Sequence, residues 1–423
     1  MTQSLPGPSN TTGLAAPRGA LRLMLDPTFG GLFWGKVTSA VAVWIHATVA
    51  AIVVFEATRS AFAVGLAVAA QYLPQILLSA WSGSMADRGH VFGQMVAGQM
   101  VAGRVLCTVG SGGLVLWLLL RGEADGWTGA WPVVISTFVV GLGFVVGGPA
   151  QQSIVPRLVT PEELSTAMTL NTAPMTIARI TGPVIGALMV VHGGAAEAFA
   201  LSVVGHVIFL ALLTRITLPD AEPHEPGVDY SIRAGLSYVR LHRPLLLVLI
   251  GCAVTGISQE PSITLAPSLA DELGGGAQLI GSFTSAFGLG AAAGLLIATL
   301  VLRRVAVETV ATSGIVLTAM GSALAAVAFT PATAIAGFAL TGVGFTFANA
   351  AFTTLAQRMA PPHLRGRVMA MWALGFLGSR PLAGFFLGAA TDLTSVHLAI
   401  ASIVLFLLAA AYVLRPANLR DTE

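Results

Sequence analysis

Charged side chains are scarce in this sequence: 21 Lys plus Arg and 19 Asp plus Glu occur among 423 residues, 9% of the chain, where soluble proteins carry about a quarter. That is too few to cover a water-facing surface, which excludes a soluble enzyme, a disordered chain and a nucleic-acid binder. Cysteine is nearly absent too. Cys107 and Cys252 both sit in apolar runs, so they read as inert thiols and not as a disulfide or a metal site. No C-x-x-C, H-E-x-x-H or G-x-S-x-G occurs, so no redox pair, zinc protease or serine-hydrolase elbow is signalled. Gly30 to Lys36 fits the first seven positions of a phosphate-binding loop, but Val37 stands where Ser or Thr belongs. Neither a cofactor nor a metal is expected, and the chain does not read as an enzyme. The net charge of +2 carries no message about partners.

What is abundant is apolar. With 55% hydrophobic residues, 48 glycines and a mean hydropathy of +0.83, the composition is that of a protein crossing the lipid bilayer many times. A crossing needs about 20 apolar residues at a rise of about 1.5 Å each. Ala61 to Ala86, Gly126 to Pro156 and Leu273 to Leu302 contain no charge and supply one crossing each. The 49 uncharged residues between Glu308 and Arg358 are too many for one crossing, and Thr330-Pro331 divides them into two. The whole chain then yields an all-α integral membrane protein with twelve spans, at about 30–55, 61–86, 94–120, 131–152, 166–191, 196–214, 244–268, 277–302, 308–329, 331–355, 367–391 and 394–414.

Orientation follows from basic residues. Arg59 and Arg121 are the two in odd-numbered loops, against fifteen in the tails and even-numbered loops. The positive-inside rule therefore predicts both termini in the cytoplasm and a multi-pass protein of the cell (plasma) membrane. The first 29 residues lack an apolar core ending in a small-residue cleavage site, so they read as a polar tail and not a removed signal peptide.

The longest polar stretch, Leu218 to Arg243, divides the spans six and six. Its Pro219, Pro223 and Pro226 make a linker, and Ile232, Leu236 and Val239 share one face of a helix expected on the inner surface. The organisation expected is a tail at 1–29, a six-helix bundle at 30–215, a linker at 216–243, a second bundle at 244–414 and a tail at 415–423. The halves repeat. Arg157-Leu-Val-Thr-Pro-Glu-Glu-Leu164 before span 5 resembles Arg358-Met-Ala-Pro-Pro-His-Leu364 before span 11, and Pro183-Val-Ile-Gly186 matches Pro381-Leu-Ala-Gly384. Parallel six-span repeats suit transporters whose two bundles rock about a midplane site.

These residues resemble a family. Gly83-Ser-Met-Ala-Asp87-Arg88 after span 2 resembles the G-x-L-A-D-R signature of the major facilitator superfamily, and Thr181-Gly182-Pro183-Val-Ile-Gly186 resembles the G-P-x-x-G element of its exporters. The chain looks most like the drug and siderophore exporter branch, that of the enterobactin exporters, with further likeness in Gln71-Tyr-Leu-Pro74, Leu158 to Leu164, Gly235-Leu-Ser-Tyr238 and Leu364-Arg-Gly-Arg-Val368. Two departures stand out. Gly89-His90 replaces further basic residues after Asp87-Arg88, and Val43 precedes Trp44 where the branch often has an acid. The resemblance implies that Gly83, Asp87 and Arg88 latch against span 11 in one state only, Gly83 allowing close approach and Asp87 facing a helix N-terminus.

Charges inside spans are costly unless they face a cavity or partners. Lys36 is near enough to the inner surface to snorkel. Arg179 and Arg380 hold nearly equivalent places beside Pro183 and Pro381, at the bundle seam or against substrate. Glu260, next to Pro261 in span 7, is the carboxylate deepest in a span; low dielectric favours its neutral form, so it is a candidate proton carrier, as are His46 and His206. Cavity candidates from spans 1, 4, 7 and 10 are Trp44, Phe138, Gln259, Phe345 and Asn349. The expected function is export of a small amphiphilic molecule against protons by a monomer that alternates between inward and outward openings. An uptake permease of the same fold and a non-transporting membrane sensor are the alternatives.

Overall fold

The computed structural model describes residues 18–87, 92–216, 238–361 and 364–420. Among the described residues, twelve helices are long and apolar enough to cross a membrane. Spans 1 to 6 are Phe29–Thr58, Ala61–Asp87, Phe92–Arg121, Gly126–Ser153, Leu164–His192 and Ala195–Leu213. Span 7 is built from three pieces, Arg243–Ser258, Pro261–Leu265 and Ala266–Glu272. Spans 8 to 12 are Ala277–Val301, Val307–Ala326, Pro331–Met359, Arg365–Leu393 and Val396–Val413.

Local chemistry sets the boundaries. Thr330 caps span 10, accepting from the Thr333 amide at 3.3 Å, just where Pro331 tolerates the first helical turn. Ser395 caps span 12 through the Leu398 amide at 3.2 Å. Span 1 ends on Arg59 in the left-handed region (φ 53), so span 2 begins only two residues later. Most of the expected linker helix, with the linker itself, lies outside the described residues. Val239 from its end is buried in the core of spans 7 to 12 instead of lying on a surface face.

Small residues set how closely helices pack, because lipid provides no hydrophobic drive for association. A Cβ on Gly103 of span 3 would lie 2.6 Å from the Gly143 carbonyl oxygen of span 4, and one on Gly344 of span 10 would lie 2.3 Å from the Thr318 nitrogen of span 9. The two halves meet the same way. A Cβ on Gly65 of span 2 would lie 2.1 Å from the Gly384 carbonyl oxygen of span 11, and one on Gly281 of span 8 would lie 2.4 Å from Ala187 Cβ of span 5.

These contacts between halves lie at the centre and on the side away from the chain's tails. On that side Asp392 of span 11 accepts from the Ala61 amide at 2.7 Å, the Phe62 amide at 3.2 Å and Ser60 Oγ at 2.5 Å. A carboxylate of one half thus caps the first turn of span 2 in the other, where the helix dipole also favours an anion. Arg59 and Asp271 add an exposed ion pair at 2.9 Å, which contributes little by itself.

At the tail side, a short helix, Ala20–Leu25, docks on the first half. Leu23 is fully buried with Phe29, Leu32, Phe33 and Phe209. Arg18 grips Glu163 before span 5 with Nε on Oε1 at 2.8 Å and Nη2 on Oε2 at 2.9 Å, while its Nη1 reaches Asp26 at 2.7 Å. The Arg18 hydrogen bonds hold the Glu163 carboxyl at about 2, below its ordinary 4.5. A depressed carboxyl stabilises docking fully above its unfolded value and loses that contribution as pH falls through the folded one. Amide protection in residues 18–26 should therefore persist from pH 7 to about 4.5 and fade toward about 2. Glu163→Gln should lower it several-fold at pH 7; hydrogen exchange showing full protection in that variant would contradict the docking account.

Candidate functional site

Span 7 carries Gly256, Ser258, Pro261, Ser262 and Pro267 within twelve residues, too many poor helix formers for a regular helix. The chain responds with a turn at Gln259-Glu260 and a π-helical turn over Pro261–Leu265. Such bulges recur at functional sites because they re-aim side chains. Glu260 is fully buried there. Its Oε1 accepts a hydrogen bond from Arg380 Nε of span 11, and Thr264 Oγ1 donates to Oε2 at 3.4 Å.

Arg380 has a second neighbour from the other half. Its guanidinium carbon lies 3.9 Å from the ring centre of Tyr72 in span 2, which is cation–π range, while Nη2 is buried without a hydrogen-bond partner. Carboxylate, guanidinium and ring thus link the break of span 7 to the line where spans 2 and 11 cross.

Arg179 occupies the corresponding line between spans 5 and 8. Three rings surround its guanidinium: Phe345 of span 10 at 5.0 Å, Trp44 of span 1 at 5.5 Å and Phe287 of span 8 at 5.8 Å. Its Nε is buried and unpartnered. The positive charges of Arg179 and Arg380 act on each other. Gly182 and Gly186 explain how Trp44 reaches the cage, since a Cβ on Gly182 would lie 2.5 Å from Trp44 Cβ and one on Gly186 3.4 Å from Ile45 Cα. Span 5 is thereby clamped between span 1 on one side and span 8 on the other. In span 11, Pro381 follows Arg380 inside the helix, and Gly384 faces Gly65.

Further polar groups near this centre lack partners. Both side-chain polar atoms of Gln259 are buried and unbonded, as are Asn349 Oδ1 and Trp372 Nε1. Unsatisfied buried polar groups are unusual enough to suggest a polar ligand. Toward the tails lies a cavity lined by residues of spans 1, 3, 4 and 5, Met175 among them. Trp44 Nε1 donates to Met175 Sδ at 3.3 Å, and Met175 stands one helical turn from Arg179.

The other sequence candidates distribute as follows. His46 is fully buried with both ring nitrogens bonded, to Ser111 Oγ at 3.1 Å and Thr137 Oγ1 at 3.2 Å, the setting of a packing residue. His206 bonds Ser39 Oγ at 3.1 Å through Nδ1. Phe138 packs partly buried against the core of the first half. Lys36 ends on Asn171 Oδ1 of span 5 instead of snorkelling. Gly83 and Asp87 fall in the last turns of span 2, their side chains and Arg88 lie outside the described residues, and so does the latch. Tyr72 and Phe287 escaped the sequence reading. Tyr72 stood inside a family-like string that named no partner, and Phe287 had no signal at all.

Removing one partner of a buried ion pair leaves an uncompensated charge and costs about 3–5 kcal/mol, whereas removing both is often neutral. Arg380→Met alone should therefore lower stability in detergent by about that amount, and adding Glu260→Gln should restore most of it. Thermal unfolding of the two single variants and the double checks this; strict additivity would contradict a direct pair.

Comparisons with known proteins bear on the family and the fold. Residues 19–423 match the family model described as transmembrane secretion effector. The enterobactin exporter EntS of Shigella boydii serotype 18 is 27% identical over 288 residues, which cover 65% of this chain and 64% of that protein. EntS of Escherichia coli O1:K1 is 26% identical over the same length. The match thus spans a little under two thirds of those relatives. Among solved structures, the nucleoside transporter NupG superposes with a TM-score of 0.72 at 12% identity, covering 91% of this chain and 98% of that one. A bacterial homolog of the human lysosomal transporter Spinster, inward-facing and occupied, gives 0.71 at 13% identity, covering 92% and 96%. The chain carries twelve helices long and apolar enough to cross a membrane among its described residues, and it belongs to the transmembrane secretion effector family of the major facilitator superfamily.

Proposed function

We propose that the protein is a secondary active exporter that moves a small amphiphilic molecule against protons by alternating access. The observation that carries this reading is the buried Glu260–Arg380 pair at the break of span 7, stacked on Tyr72 from the opposite half. An ion pair away from water is held chiefly by mutual attraction, here with Thr264 Oγ1 as a further donor to Glu260. A proton on Glu260 cancels that attraction, frees Arg380 and loosens the π-helical turn beneath it. Protonation would thereby bias the contact between spans 2 and 11, the same line that Asp392 closes on the side away from the tails. Such a two-state element biased by a ligand is what coupling requires.

Fifteen basic residues on the tail side against two opposite support cytoplasmic termini. The cavity beside Lys36 and Asn171 then opens toward the cytoplasm, the loading state for an exporter. Cargo would sit between the Arg179 cage and the unbonded Gln259 and Asn349, its apolar part against Trp44, Phe287 and Phe345. The family's description as secretion effectors and the name of the enterobactin exporter relatives favour the outward direction. We place the chain in the plasma membrane as a monomer of two six-helix bundles with a cytoplasmic linker.

Everted membrane vesicles incubated with a fluorescent amphiphile test the reading. Accumulation should follow an inside-acid gradient, collapse with an uncoupler and fall at least tenfold in Glu260→Gln. Unchanged flux in that variant would remove Glu260 as the carrier, and accumulation by right-side-out vesicles alone would reverse the direction.

A further inference from the structure

Two cations in the first half are not used by the Glu260–Arg380 centre. Lys36 of span 1 and Arg104 of span 3 both line the tail-side cavity. Lys36 Nζ donates to Asn171 Oδ1, and Arg104 Nη1 donates to Ser39 Oγ, which in turn bonds His206 Nδ1 at 3.1 Å. Every one of these partners is neutral or accepts without a full charge. Among the described residues, none of the ion pairs involves Lys36 or Arg104. Arg104 is 3% exposed, and its Nε is buried with no hydrogen-bond partner.

Two uncompensated cations within one membrane-embedded half are expensive, and intramembrane charges ordinarily find partners. The arginine has little freedom to leave. Next to it, Gly103 packs so closely that a Cβ would lie 2.8 Å from the Gly147 nitrogen, and the Phe209 ring lies 5.6 Å from the guanidinium carbon. That ring is itself seated on Gly35, where a Cβ would lie 2.1 Å from Phe209 Cδ2. The remaining open side is the cavity. Its walls combine polar groups, Lys36, Arg104, Gln151, Gln152 and Asn171, with apolar ones, Val43, Phe144 and Met175.

We propose that this cavity binds an amphiphilic organic acid, its carboxylate between Lys36 Nζ and the Arg104 guanidinium and its apolar body along Val43, Phe144 and Met175 toward Trp44. A guanidinium beside an ammonium supplies charge-assisted donors to both oxygens of such a group. Identifying the acid as the cargo rests on the transport reading above; the binding itself does not. The site is separate from Glu260, so an anionic cargo does not have to compete for Arg380. The cargo class is therefore acids, and neutral or cationic amphiphiles of the same shape are poor ligands.

The test uses purified full-length protein in neutral detergent, titrated by calorimetry with 2-naphthoate and with 2-naphthamide, which has nearly the same shape and no charge. Naphthoate should bind at least tenfold more tightly. Lys36→Gln and Arg104→Gln should each erase most of that preference, while Arg104→Lys, which keeps the cation, retains it; Lys36→Gln, less buried, stands alone if Arg104→Gln does not fold. Equal binding of the two probes, or a preference that survives in both neutral variants, overturns the proposal. So does loss of naphthoate binding on adding one equivalent of phosphatidylglycerol, which would make this a lipid-headgroup site. Efflux of a neutral amphiphile in vesicles, intact while naphthoate fails to bind, would sink the acid site and leave the exporter reading standing.

Discussion

Out of reach of water, a guanidinium and a carboxylate depend on partners inside the protein, and Arg380 and Glu260 hold together where span 7 loses regular hydrogen bonding. The rest of the site follows from that constraint. A charge this deep must be neutralised, paired or offered a ligand, and the three arginines of the interior show the three ways of meeting the requirement. Arg380 has a carboxylate and a ring. Arg179 has three rings and no acid. Arg104 has a hydroxyl and an open cavity.

Backbone proximity turns this local chemistry into a property of the whole molecule. Gly65 against Gly384 and Gly281 against Ala187 bring the backbones of the two halves close together, with Phe62 against Phe385 packed on the same seam. Asp392 capping span 2 from the other half adds hydrogen bonds between the halves on the side away from the tails. Arg380 on Tyr72 sits on the same seam, which ties its partner Glu260 to the contact between the halves.

Much of the fold was legible in the sequence because hydropathy and gaps between charges report directly on crossing a bilayer. Thr330-Pro331 marked the start of span 10, and the Glu260-Pro261 pair marked the break in span 7. The site was legible in its parts and not in its pairings. Glu260 and Arg380 stand 120 residues apart, and nothing in a single sequence ties them. Periodicity gave no help, since helices buried on all sides are apolar all round; Phe287 was invisible for that reason and Phe138 was assigned to the cavity on span membership alone. Lys36 sat close enough to a span end to suggest the surface, yet Asn171 from a neighbouring helix offers it an acceptor inside. His46 carried a titratable ring that tertiary packing consumed with Ser111 and Thr137.

The central claim is that the two halves open on one side only as they close on the other, with Glu260 biasing the exchange. Spin labels at exposed positions measure it most directly: Glu123 with Phe329 on the side away from the tails, and Arg215 with Arg304 on the tail side. In lipid nanodiscs, lowering the pH or introducing Glu260→Gln should lengthen the first distance and shorten the second in the same sample, read by pulsed electron resonance. Both distances moving in the same direction, or neither responding to Glu260, would contradict the account.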